Sequence, residues 1–87
     1  MNKHPTNIKG YNSPKDLAIE LSNLRYDILA EVLKELTDKL ECDAKEDLKR
    51  NRIKVSHHLM NAVVELQAAY EYMLKVWKIC KPLMDDL

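Results

Sequence analysis

Over residues 55–87 the apolar positions fall into two heptad frames that lie side by side. One frame reads Leu59, Val63, Leu66, Tyr70, Met73, Trp77, Cys80, Met84, Leu87. The other reads Val55, Leu59, Ala62, Leu66, Ala69, Met73, Val76, Cys80, Leu83, Leu87. Alternating steps of four and three mark a helix that buries one stripe against a neighbour, so two stripes call for two neighbours. The pattern predicts a helix over about 44–81, which at 1.5 Å per residue spans roughly 55 Å. Pro82 ends or bends it, leaving a short turn over 82–87.

The preceding half predicts a second long helix, over about 14–42. Ser13 suits the N-cap, Pro14 the first helical position, and Asp16 a carboxylate near the cap. Leu17, Leu21, Leu24 and Ile28 share one heptad frame; Leu29, Leu33, Leu36 and Leu40 share another, one residue out of step. That slip rotates the apolar face midway along the helix. Between the helices the chain is almost wholly polar. Asp43, Ala44, Lys45 and Glu46 repeat the capping-box spacing and place the turn near 42–43. With no glycine to mark the break, a longer first helix turning near Asn51 is the alternative. Residues 1–13 lack periodicity and read as an irregular N-terminal arm.

These elements predict an all-α fold. Its expected form is a long antiparallel two-helix hairpin that pairs with a copy of itself into a four-helix bundle. Length supports the pairing. Eighty-seven residues form one small domain whose own core is too thin to offset the entropy of ordering it without a staple. The two cysteines, Cys42 and Cys80, fall at opposite ends of the expected hairpin, so they do not supply a disulfide. No apolar run has signal-peptide or membrane-spanning length, which points to a reducing cytoplasm and free thiols. A subunit interface remains. Its expected residues are Leu59, Ala62, Val63, Leu66, Ala69, Tyr70, Met73 and Trp77, with the alanines allowing close backbone approach and the aromatics filling a wider gap.

Charge narrows the function classes. Fourteen basic residues balance fourteen acidic ones, whereas nucleic-acid-binding domains usually carry a basic excess. Lys49, Arg50, Arg52 and Lys54 form a local basic concentration that could sit on phosphates, doubled by dimerisation. Glu46 and Asp47 one turn before it favour a solvated face of ion pairs. His57 and His58 are adjacent, hence about 100° apart on a helix, and no third ligand stands at helical spacing, so no metal site is expected. Tyr70 and Trp77 obey the heptad spacing and read as packing residues before they read as a ligand slot. No cofactor is expected.

Leu24, Arg25, Tyr26, Asp27 and Ile28 on a long first helix resemble a segment of the all-helical chorismate mutases, which are intertwined helical dimers. The resemblance covers these few residues, the next acidic residue stands at a different spacing, and the chain holds only three arginines. It therefore implies no activity. The expected function is that of a small protein–protein interaction module (an adaptor, accessory or regulatory protein) whose partner is a second copy or another helical protein. A nucleic-acid-binding regulator using residues 45–58 is the alternative, and a small helical-bundle enzyme is less favoured. No membrane partner is expected, because the apolar stripe is wide and regular, as a protein partner requires.

Overall fold

The computed structural model describes residues 4–84. It is all-helical, and no strand occurs among the described residues. Three helices follow in order: α1 (Pro14–Ser22), α2 (Tyr26–Lys49) and α3 (Ile53–Met84). Ahead of them, Tyr11 N–H donates to Ile8 O at 3.0 Å, closing a turn. Gly10 stands in it at φ 91°, a conformation other residues rarely adopt.

The start of α1 follows its sequence. Ser13 is extended and its hydroxyl accepts from Asp16 N–H at 3.2 Å, while Pro14 opens the helix. The expected continuous helix over 14–42 does not form. Ser22 Oγ donates back to Ile19 O at 2.8 Å, Asn23 N–H is shared between Ile19 O and Glu20 O, and Arg25 turns extended. Ser and Asn compete for backbone groups in this way and favour helix ends. The break falls inside the first leucine frame, between Leu21 and Ile28, whereas the slip between the two frames, at Ile28 and Leu29, lies within α2.

The second correction concerns the reversal. It lies at 50–52, eight residues after the place suggested by the capping-box spacing, and matches the alternative near Asn51. Asn51 adopts φ 61°, which Asn tolerates better than most side chains. Its N–H donates to Leu48 O at 3.0 Å and Arg52 N–H donates to Asp47 O at 2.8 Å. These two bonds form a Schellman motif with Asn51 in the position usually held by glycine. Asp43 does not cap a helix. It accepts a bond from Lys39 Nζ at 2.6 Å in mid-helix. Pro82 does not end α3, which continues to Met84; the rest of the turn expected over 82–87 lies outside the described residues.

From the reversal α3 runs back along α2, and these two helices form the packed body of the molecule. The residues buried between them are small. On α2 they are Ala30, Thr37 and Ala44, one heptad apart; on α3 they are Ser56 and Val63, also one heptad apart. Each buried polar group is satisfied: Thr37 Oγ1 donates to Leu33 O at 2.6 Å and Ser56 Oγ donates to Ala44 O at 2.8 Å. No large side chain among the described residues is fully buried. The molecule is long and flat, 53 × 29 × 14 Å, with a radius of gyration of 15.9 Å. A compact chain of this length has a radius of gyration of about 12 Å.

Candidate interaction surface

Heptad arithmetic places the larger apolar residues around the buried line. On α2, Leu33 and Leu40 flank it on one side, with Leu29 and Leu36 next outward; the other side carries Lys34 and Glu41. On α3, Leu59, Leu66 and Met73 flank the line through Ser56, Val63 and Tyr70, with Val55, Ala62, Ala69 and Val76 next outward. In two helices that run in opposite directions these flanks fall on the same side. At the turn end Leu40, Val55 and Leu59 do line one groove, rimmed by Asp43, Glu46, Asp47, Arg50 and Arg52.

Of the residues expected at an interface, Val63 is buried and faces α2. Leu59, Ala62, Leu66, Ala69, Tyr70, Met73 and Trp77 are half-buried. Val55 and Leu83, at the ends of the second frame, are exposed. Leu87 lies outside the described residues. Trp77 has a polar neighbour that sequence spacing does not reveal: the Arg25 guanidinium lies 5.3 Å from its ring centroid. Arg25 also holds Asp27, Nε to Oδ1 at 2.6 Å and Nη2 to Oδ2 at 2.9 Å. That bidentate bond, with the Arg25 charge behind it, holds the Asp27 carboxyl below the ordinary carboxylate range.

The basic segment is partly engaged. Lys49 pairs with Glu46 at 3.4 Å and Arg52 with Asp47 at 3.4 Å, while Arg50 and Lys54 are exposed. His57 and His58 meet edge to face, with ring centroids 5.3 Å apart, and Asn61 Nδ2 lies 3.4 Å from His57 Nε2. No group of three metal-ligating side chains gathers among the described residues. Cys42 and Cys80 are free thiols. No described helix is long and apolar enough to cross a membrane.

Two features escaped the heptad reading. The line Ala30, Thr37, Ala44 is composed of small residues, and a search for large apolar side chains passes over it; its signal is the strict interval of seven. The second is a stripe that runs from the outer edge of the second frame round to the back of α3: Tyr72, Val76, Ile79 and Leu83, spaced 4-3-4. Tyr72 and Ile79 belong to neither of the two heptad frames of α3. Compared with family models, curated proteins and solved structures, the chain matches none.

Proposed function

We propose that this chain is a small helical protein–protein interaction module, an adaptor, accessory or regulatory protein of the cytoplasm, that acts by docking through the apolar side of α2 and α3. Its two-helix hairpin pairs with a second copy into a four-helix bundle, and no catalytic step is assigned to it. The observation that supports this reading is surface area. The chain exposes 7299 Å², whereas a compact monomer of its mass exposes about 5300 Å². Part of the surplus of about 2000 Å² belongs to the irregular residues before α1. The remainder is of the size that an obligate pair covers, roughly 1000–2500 Å² per subunit. Twelve large hydrophobic residues among those described are exposed, six of them on α2 and α3 from Tyr26 to Val55 inclusive, which fits a surface meant to be covered.

Absolute mass by light scattering, with helicity followed on dilution, tests the reading. Wild type is expected at no less than twice 10.2 kDa. Leu66→Lys, which puts a charge at the centre of the seam, and Trp77→Ala are expected to reduce mass or helicity. A fully helical wild-type monomer at tens of micromolar would sink self-association. So would two variants with unchanged mass and helicity.

A further inference from the structure

Two apolar stripes begin at the outer edges of the seam side and run round to the backs of α2 and α3, and their borders carry opposite charge. The first is on α2, where Ile28, Val32 and Leu36 line a shallow groove together with Glu31 and Glu35. Ile28 and Leu36 are exposed, and neither glutamate forms an ion pair among the described residues. The second is the C-terminal part of α3. At 32 residues against 24, α3 outruns α2 by about 12 Å beyond the shared turn. On this overhang and just before it stand Tyr72, Ile79 and Leu83, exposed at 64%, 70% and 58%, with Val76 between them. Lys75 borders this stripe and Lys78 stands next round the helix from it, with no acidic residue from Tyr72 to Met84. Lys75 Nζ sits 5.0 Å from the Tyr72 ring centroid and makes no ion pair with Glu71 one turn back. Elsewhere on α2 the charges are paired within the chain: Lys34 with Asp38, Lys39 with Asp43, Lys45 with Glu41.

We infer that the lysine-bordered overhang of α3 docks on the glutamate-bordered stripe of α2 in a second copy of this chain. The α2 stripe faces away from α3 within one chain, so the contact is between molecules. Each copy carries both halves, and a two-fold pair closes both contacts at once. Burial of the two stripes supplies the attraction; Glu31 and Glu35 against Lys75 and Lys78 supply register and choice of partner. This contact shares Leu36, Val76 and Leu83 with the outer edge of the seam side and does not require the seam to pair.

Two exposed double variants test it: Glu31→Lys with Glu35→Lys, and Lys75→Glu with Lys78→Glu. Each alone faces like charge against like charge in both contacts. Mixed one to one, both contacts regain opposite charges. The mass by light scattering is expected to rise on mixing, with apparent affinity at least ~10-fold above either variant alone, and to fall back in high salt. Circular dichroism of each variant confirms that its helices are intact. Equal mass before and after mixing overturns the proposal. Binding of wild type to anionic phospholipid vesicles, lost in the lysine variant and without any change of mass on mixing, would assign the overhang to a lipid surface instead. The seam is judged separately, by the mass of each variant alone: a monomer alone that pairs on mixing keeps this contact and removes the seam.

Discussion

The Ser56 hydroxyl donates to the Ala44 carbonyl at 2.8 Å, across twelve positions of sequence and between two buried residues. Ala44 has no exposed surface, so the helices approach there as closely as small side chains permit. Ser56→Ala is expected to cost about 1 kcal/mol, the usual net worth of such a bond. Ala44→Leu is expected to cost about 1–3 kcal/mol, because a larger side chain must push the helices apart. Urea unfolding of both variants measures this, and a stable Ala44→Leu protein would show that the close approach is not needed.

Asn51 carries the reversal without a glycine. Asn51→Gly is expected to keep or raise stability, whereas Asn51→Val is expected to lower it by about 1–2 kcal/mol, since a β-branched residue resists positive φ. Thermal unfolding of the two variants distinguishes them. Equal midpoints would mean that the left-handed residue does not define the turn.

Arg25 over Trp77 joins the start of α2 to the far part of α3. Arg25→Ala is expected to lower stability slightly, as loss of an exposed cation–π contact does. Trp77 is the sole tryptophan, so its fluorescence reports the contact directly. Greater quenching by acrylamide in the variant is expected; identical quenching would mean that the guanidinium does not cover the ring.

Asp27 gives the pH dependence a definite sign. Its carboxyl is held below the ordinary range by the hydrogen bond and charge of Arg25, so the folded state prefers it ionised. That contribution is fully present above the ordinary carboxylate range and disappears as pH falls through the depressed folded value. The melting midpoint of wild type is therefore expected to exceed that of Asp27→Asn at neutral pH, with the gap closing in acid. A gap that persists or widens in acid would contradict this.

What the sequence disclosed depended on the size and chemistry of the side chains involved. Ser13 and Pro14 announced α1 because cap and proline preferences are local and need no partner. The seams of α3 were legible because large apolar residues seldom keep heptad spacing over so many turns except on a helix that packs. The reversal was harder to place: Asp43 to Glu46 satisfy the spacing of a capping box, yet Ala44 is among the deepest residues and Asp43 is engaged by Lys39. Local capping preference is worth about 1 kcal/mol, and packing of the Ala30, Thr37, Ala44 line outweighed it. The break at 23–25 was hidden for the opposite reason. Leu21 and Leu24 continue the heptad frame straight through a point where Ser22 and Asn23 turn the backbone aside.

Only Ala30, Thr37, Ala44, Ser56 and Val63 are buried among the described residues. For these five positions the chain's own fold alone sets which side chains are tolerated. Every other position whose exposure is described borders solvent, or whatever takes the place of solvent. A deep substitution scan would therefore separate two kinds of intolerance. At those five, loss of a residue registers in the folding of the isolated chain. Where an outward-facing leucine or valine proves just as irreplaceable in the cell, yet its loss leaves the isolated chain folded, the scan will have drawn the outline of what the protein meets there.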